Sequence, residues 1–297
     1  MLASQPILAT AKSLDHFVHL VRDADAAAAV YERLGFHVRP LAEHKDIGSR
    51  NRVVHFGHTY LEFADFEGAR EDVAGPYTDR FQLGEGLAHV SLTSDRLEDD
   101  RARLEAVGMQ PYPILSARRR ITLPDGSFGE TASRCFYLWR EDNRYLSLFF
   151  SDHPKPDMIF IPEFVRHDNG ASEVSRCVYM STTLAADRDY FSRCFGSEPV
   201  EEASERIAWQ GPRGDLTEVL SPAAAQVRYG DLLHLSTPEP LPGIGIALHY
   251  RVADIERCRA VLEAGGLAVR KLDEGAIGVA AEDAVGCIAV FESLDSK

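Results

Sequence analysis

The sequence predicts an α+β protein built from four copies of one unit, in which a strand is followed by a helix and then by three strands. Two observations carry this prediction. The order of strand, helix and glycine returns four times along the 297 residues, and such self-similarity indicates a repeat. In addition, the helix tails of the second and fourth copies, RLEAVG at 103–108 and VLEAGG at 261–266, resemble each other.

The first copy opens with Leu14–Val21, whose apolar and aromatic residues favour a strand. Asp23 can cap the helix predicted over Ala24–Leu34, and Gly35 stands where a helix ends in the left-handed conformation. Three extended segments complete the copy, at Phe36–Pro40, Arg52–Gly57 and Thr59–Ala64.

The later copies repeat this order. The second has a strand at Gly86–Thr93, a helix at Arg96–Val107 capped by Ser94, and strands near Met109–Leu115, Arg134–Arg140 and Arg144–Phe150. The third opens at Ser175–Ser181 and the fourth at Gly245–Val252. Because Ser151–Gly170 carries three prolines and reads as a connector, we predict two domains, residues 1–155 and 156–297.

Composition and charge exclude several classes of protein. The five cysteines include no CxxC pair, which argues against a zinc ribbon or a thioredoxin-type site. A net charge of −14 argues against partners that carry negative charge, such as nucleic acids and anionic membranes. No apolar run reaches the length of a membrane span. We therefore expect a bacterial-type cytoplasmic protein whose partner is a small molecule.

Four stretches resemble the glyoxalase-like group of the vicinal-oxygen-chelate superfamily. They are LDHFVHLVRDADAAAAVYERLGF at 14–36, HKDIGSRNRVVHFGHTYLEF at 44–63, RRRITLPDGS at 118–127 and RHDNGA at 166–171. The resemblance covers nearly the whole chain and is strongest over 14–64. It implies that paired βαβββ modules curl into an eight-stranded open barrel, or cup, with the site inside, and two such cups fit this length.

The resemblance also implies where a divalent metal would be held. Its ligands come from the first and fourth strands of two paired modules, which correspond here to His16, Glu62 and His89. The fourth position falls near Ser147, which is no carboxylate. Two imidazoles and one carboxylate suit Fe2+ or Mn2+, and Zn2+ or Ni2+ are also possible ions.

Other polar and aromatic residues are candidates for catalysis or substrate binding. Glu62 in an apolar strand, or His44 in the loop before it, could act as a general base. The candidates for contacting substrate are Arg50, Asn51, Arg118, Trp139 and Tyr145.

The second half offers a poorer set of ligands at the matching positions. The position of His16 is taken by Arg176 or Cys177, depending on one residue of register, and the position of Glu62 is taken by Glu218. Ala247 falls near the position of His89, and His249 follows two residues later on the same face. A set of Cys177, Glu218 and His249 is conceivable, but we expect a degenerate half that supports the first.

Three functions therefore remain open. The first is a metal-dependent enzyme, of isomerase, lyase or dioxygenase type, that acts on a small oxygenated substrate. The second is a metal-free protein that binds or sequesters a small molecule in an apolar cup. The third is a metal-independent enzyme that uses Glu62 as its base. Exposed sheet edges also leave a homodimer possible.

Overall fold

Two eight-stranded sheets of the same topology form the protein in its computed structural model, which describes residues 11–44, 47–142, 144–233 and 243–294. The elements of the first half are β1 (Leu14–Leu20), α1 (Ala24–Arg33), β2 (Ala42–Glu43), β3 (Arg50–His55), β4 (Tyr60–Asp65), α2 (Glu71–Thr78), β5 (Gly86–Thr93), α3 (Leu97–Ala106), β6 (Leu115–Thr122), β7 (Phe128–Leu138) and β8 (Leu148–Asp152).

The second half repeats this series. Its elements are β9 (Ala171–Ser181), α4 (Leu184–Phe195), β10 (Glu201–Ala203), β11 (Arg206–Gln210), β12 (Leu216–Leu220), α5 (Pro222–Tyr229), β13 (Gly243–Val252), α6 (Ile255–Ala264), β14 (Arg270–Lys271), β15 (Ile277–Val279) and β16 (Ile288–Ser293).

The strand orders are β2-β3-β4-β1-β5-β8-β7-β6 and β10-β11-β12-β9-β13-β16-β15-β14. In each sheet the first strands of two modules lie side by side at the centre, antiparallel to each other and parallel to the fourth strand of their own module. The predicted α+β class and the four-module organisation are confirmed. Division of the chain at residue 155 stays a prediction, because the two sheets share a core.

That shared core is formed by the outer faces of both sheets and the helices that cover them. Phe36, which follows α1, packs 5.0 Å from the ring of Tyr250 in β13. At another contact the backbone of Gly245 in β13 approaches Leu87 in β5 so closely that a Cβ on Gly245 would lie 2.6 Å from Leu87 Cδ2. The halves therefore pack intimately, and the inner faces of the sheets are left for sites.

Local signals in the sequence explain the helix boundaries. The side chain of Asp23 accepts hydrogen bonds from the backbone of Asp25 and Ala26, as an N-cap does. Asp254 caps α6 in the same way. Gly35 has φ of +83°, a conformation that costs a glycine little. The predicted cap Ser94 lies two residues before the N-cap position of α3, which Arg96 occupies; its hydroxyl donates to Asp100 and accepts from the backbone N–H of Arg96.

The first sheet is nearly a closed barrel. Its edge strands β2 and β6 are joined by an isolated bridge between His44 and Arg119. Among the described residues of the second sheet, no such bridge joins β10 to β14. The inner face of the first sheet is consequently more enclosed than the open cup that we predicted.

Several predicted elements are wrong or misplaced. Residues 36–40 form no strand, and the short β2 takes that place two residues later. The strand predicted near Met109–Leu115 begins only at Leu115. Helices α2 and α5, which follow the fourth strands, were not predicted. None of the helices in the described ranges combines the length and the hydropathy that crossing a bilayer requires.

Candidate functional site

The site begins with an irregularity in β1. The pairing of β1 with β5 shifts register between Leu14 and Phe17, and Asp15 and His16 lie inside that shift. Consecutive side chains of a regular strand point to opposite faces. Here both side chains are buried, and Asp15 Oδ1 lies 2.6 Å from His16 Nδ1. The irregularity therefore brings a carboxylate into contact with an imidazole of the inner face.

His16 is held firmly on that inner face. Its ring stacks on Tyr60 at 4.3 Å with an interplanar angle of 8°, and meets the edge of Phe149 at 5.0 Å. Because the Asp15 carboxylate accepts from Nδ1–H, Nε2 is the ring nitrogen left for a ligand. That Nε2 lies 4.0 Å from Glu62 Oε2 on β4.

Glu62 is an ionised carboxylate inside the barrel. Asn51 Nδ2 donates to its Oε1 at 2.5 Å, and Arg119 Nη1 donates to Asn51 Oδ1 at 2.8 Å. Burial by itself would raise the pKa of Glu62. The charges of His44 and His16 and the hydrogen bond from Asn51 outweigh burial, so that the pKa is lowered. An ionised carboxylate with an oxygen turned to an imidazole can bind a cation or accept a proton.

His44 lies at the seam where the barrel closes. Its Nδ1 is 3.1 Å from Ser49 Oγ, and its charge contributes to lowering the pKa of Glu62. The structure thus brings together four of the predicted residues, His16, His44, Asn51 and Glu62.

A second histidine approaches Asp15 from the other side. His153 Nε2 lies 2.8 Å from Asp15 Oδ1, and Ser133 Oγ lies 3.1 Å from His153 Nδ1. Burial would raise the pKa of Asp15, but the charges and hydrogen bonds of His153 and His16 hold it well below its usual range. Asp15 and His153 also line a cavity of about 460 Å³. In the described ranges, Asp15, His16 and His153 are the one set of three metal-ligating residues with ligand atoms within 4.8 Å of one another.

His89 is on the inner face but outside that set. Its Nδ1 lies 2.9 Å from the Tyr77 hydroxyl, and its ring stacks on Trp139 at 4.4 Å. Burial lowers the pKa of His89 to about 3, so the ring is neutral. Its buried Nε2 has no hydrogen-bond partner of normal geometry among the described residues, and a weak contact of the ring with the backbone of Leu148 counteracts burial only slightly. Such an atom is costly to bury, and a bound ligand would satisfy it.

The pairing of β8 with β5 shows which residue occupies the position of the family's fourth metal ligand, which the sequence placed only near Ser147. Glu62 pairs with Val18 across β4 and β1, and the equivalent pair across β8 and β5 is Phe149 with Ser91. Phe149, two residues beyond Ser147, therefore occupies the place of a fourth ligand. Ser147 precedes β8, and its hydroxyl accepts from the backbone of Arg140.

Three predicted substrate contacts are not on the inner face. Arg50 is on the opposite face of β3 from Asn51 and pairs with Asp65 at 2.5 Å. Arg118 is exposed, because alternation along β6 turns its neighbour Arg119 inward instead. Tyr145 precedes β8 in a 3-10 turn, where it lies near the buried guanidinium of Arg80. Trp139, in contrast, lines the interior beside His89.

Sequence reasoning missed Asp15, Arg119 and His153. The alternation of side chains along β1 assigns Asp15 to the outer face of the sheet. Only the register shift between β1 and β5 shows that its carboxylate contacts His16. Arg119 belongs to a recognised arginine run, but choosing among its three members needs the pairing of β6. His153 falls in the predicted connector, and no signal in the sequence places it near Asp15.

The second sheet has no equivalent of the His16–Glu62 pair. Its register aligns Arg176 with His16 and Glu218 with Glu62. Cys177 is turned into the shared core, where burial raises the pKa of its thiol. The conceivable set of Cys177, Glu218 and His249 is therefore not formed.

Comparison with known proteins agrees with this architecture. A model of the glyoxalase-like domain matches residues 14–191. A hypothetical protein from Staphylococcus aureus superposes with a TM-score of 0.66 at 12% identity, over 95% of this chain and 99% of that chain. A 4-hydroxymandelate synthase mutant from Streptomyces coelicolor gives 0.60 at 12%, over 97% and 94%.

A xylose isomerase-like TIM barrel/4-hydroxyphenylpyruvate dioxygenase fusion protein gives a TM-score of 0.62 at 11% identity, over 98% of this chain and 50% of that chain. At these identities the likeness shows the fold. No curated protein sequence matches the chain significantly. The family resemblance inferred from the sequence is confirmed.

Proposed function

Since the chain belongs to the glyoxalase-like domain family, we propose that its first barrel is the active site of a divalent-metal-dependent enzyme acting on a small oxygenated organic substrate. The observation that carries the proposal is the pair formed by His16 Nε2 and Glu62 Oε2, which are 4.0 Å apart without a hydrogen bond. The reaction is of isomerase, lyase or dioxygenase type.

The spacing of this pair is close to that of two ligands of one metal ion. Metal bonds to imidazole nitrogen and carboxylate oxygen are about 2.0–2.2 Å long, so adjacent ligand atoms lie about 3 Å apart at 90° and about 3.5 Å apart at the tetrahedral angle, and the 4.0 Å pair would close by about 0.5–1 Å around an ion. The supporting contacts fit as well, because ligating histidines donate their other N–H to a carboxylate and ligating carboxylates accept hydrogen bonds. Asp15 and Asn51 make these two contacts.

His89 is the candidate for a third ligand. The buried Nε2 supports this role. Its Nδ1 contacts Tyr77, and its ligand atoms do not lie within 4.8 Å of those of both His16 and Glu62, so the ring must move toward this pair to bind the same ion. Two histidines and one carboxylate would leave coordination positions open, which suits Fe2+, Mn2+, Zn2+ or Ni2+.

A bound ion would act as a Lewis acid on a substrate that presents two oxygens. The chain's own residues would do the rest. Tyr60 and Phe149 flank His16 and keep water from its ring. Asn51 fixes the orientation of Glu62, and Arg119 fixes Asn51. His44, at the seam of the barrel and close enough for its charge to affect Glu62, would in its neutral form be the base that takes a proton from the substrate.

The proposal is tested by metal binding to the full-length protein. Apoprotein is dialysed against each of the four ions, and bound metal is quantified for wild type, His16→Ala, Glu62→Ala and the exposed control His37→Ala. We expect one ion per chain in wild type and control, and loss of the ion in both site variants. Failure of every ion to bind to folded wild-type protein would contradict the proposal. Protein loaded with a binding ion is then screened for turnover of chelating hydroxy- and oxo-acids.

A metal-independent enzyme is the second candidate. It is favoured by Phe149, which stands where a fourth ligand would be, and by the bond that engages His89 with Tyr77. In this case Glu62 is the base, and its lowered pKa keeps it ready to accept a proton at neutral pH. Turnover that survives chelation of all metal and disappears in Glu62→Gln would establish this candidate and exclude the first.

A further inference from the structure

The inner face of the second sheet carries a different kind of site, centred on Glu218 of β12. This carboxylate is fully buried and accepts hydrogen bonds from Arg176 Nη1 at 3.0 Å and Arg206 Nη2 at 2.6 Å. Arg228 Nη1, from α5, donates to its other oxygen. Burial would raise the pKa of Glu218, but the arginines lower it. We refer to Arg176, Arg206 and Arg228 as the arginine cluster.

The cluster contains more positive charge than Glu218 can neutralise. Three guanidinium groups surround one carboxylate, although a single ion pair would satisfy it. Arg206 has a further partner in Glu201, at 2.8 Å. Glu292 lies near Arg176, but it is engaged by His249 Nδ1 at 3.1 Å. Neither carboxylate contacts Arg228 in the part of the chain that the structure describes.

Many donors of the cluster are also unused. A guanidinium has five N–H donors, and Arg176 donates only one of them to a described residue. The Nε atoms of Arg176 and Arg206 are buried without a partner among the residues that the structure describes. The three side chains remain 22%, 30% and 27% exposed, so their outer edges are open to a ligand.

We propose that the arginine cluster binds the oxyanion group, carboxylate or phosphate, of a small ligand. Three guanidiniums fixed by one buried carboxylate form a preorganised fork for such a group, because planar guanidiniums pair with its oxygens bidentately. The same geometry excludes a metal ion, since Arg176 stands at the position of His16 and a guanidinium offers no lone pair. The second half is thus an anion site rather than only a support for the first.

The full-length protein is titrated calorimetrically with inorganic phosphate and, separately, with malonate, at constant ionic strength set with chloride. We expect one site per chain for at least one anion, and the tighter of the two identifies the oxyanion. Arg176→Gln and Arg228→Gln should each weaken binding about tenfold or more, the scale of a lost hydrogen bond to a charged group. Arg188→Gln, at a partly exposed arginine of α4 that pairs with Glu198, is the matched control.

Two further variants distinguish binding at the arginine cluster from binding elsewhere on the protein. His16→Ala should bind the anion as wild type does, which locates binding outside the first barrel. Glu218→Gln should tighten binding several-fold, because it removes the competing negative charge while keeping an oxygen for the arginines. Binding of neither anion by wild type, or equal binding by wild type, Arg176→Gln and Arg228→Gln, would overturn the proposal and leave the cluster a structural counter-charge for Glu218.

Discussion

His16 Nε2 and Glu62 Oε2 face each other across 4.0 Å, too far apart for a hydrogen bond and close enough to share an ion. Each is held by a partner of its own, Asp15 for the imidazole and Asn51 for the carboxylate. The gap is therefore set by contacts on both sides, and a change to either partner should alter what the pair can bind.

Asp15→Asn should weaken metal binding. The substitution keeps the shape of the side chain but removes the charge that accepts the His16 Nδ1–H bond. Loss of such a supporting carboxylate costs about 10–100-fold in metal affinity. The measurement is a competition titration with a chelator. Asp95→Asn, at an exposed aspartate that lines the same 460 Å³ cavity, is the control and should bind metal as wild type does.

Arg119→Gln and Arg118→Gln should differ in stability, although the residues are neighbours. Arg119 is buried and donates to Asn51 Oδ1. Its loss leaves a buried acceptor without a partner, so we expect a cost of about 1–3 kcal/mol in the free energy of unfolding. Arg118 is exposed, and its replacement should change stability by no more than about 0.5 kcal/mol. Denaturant unfolding of both variants checks this, and equal costs would contradict the assignment of faces on β6.

His19 should make the protein less stable in acid. It is fully buried beside Tyr31 and Phe63, and neither of its ring nitrogens has a partner in the described part of the chain. Burial, assisted by the charge of Arg80, lowers its pKa from 6.5 to about 3. Between these values the unfolded chain binds a proton that the folded protein does not, so stability falls as the pH falls through this window.

His19→Leu should therefore flatten the pH dependence. Between pH 7 and pH 5, wild type should lose about 2 kcal/mol more of its free energy of unfolding than the variant does. At pH 7 the variant should be as stable as wild type or more so, because replacing an unpaired buried polar group by an apolar one is seldom costly. Unfolding free energies at both pH values test this, with the exposed His37→Gln as the control. If the variant lost as much unfolding free energy between pH 7 and pH 5 as wild type does, the prediction would be refuted.

Gly245→Ala should destabilise the contact between the two sheets. The added Cβ would lie 2.6 Å from Leu87 Cδ2 and 2.8 Å from its Cγ, so the side chain must move. Overpacking of this kind costs about 1–3 kcal/mol. Gly57→Ala, where a Cβ would meet nothing within 4 Å, should be close to neutral. Adding Leu87→Ala to Gly245→Ala should cost less than the two single changes predict together, because the clash is relieved.

The sequence specified the central strands well and the site only in part. β5 lies where composition predicts it, and α1 begins at the residue that its predicted cap Asp23 indicates. α2 escaped prediction because its sequence, EDVAGPYT, contains glycine and proline, which disfavour a helix. The Ser221–Pro222 start of α5 is a helix signal that could have been used.

Within the site, the family resemblance indicated His16 and Glu62, and Asn51 was a candidate substrate contact, but the sequence could not foresee two features. The shifted register at Asp15 and the choice of Arg119 over Arg118 both depend on which strand pairs with which and at what offset. Such pairings join residues distant in sequence, and a local pattern does not contain them.

The most direct test of the metal proposal is the position of the ion itself, located by anomalous diffraction from crystals of the protein loaded with Mn2+ or Ni2+. We predict one anomalous peak within bonding distance of His16 Nε2 and Glu62, with the His16 Nδ1–Asp15 hydrogen bond retained. A peak among Asp15, His16 Nδ1 and His153 instead, or no peak in either crystal, would contradict the proposal.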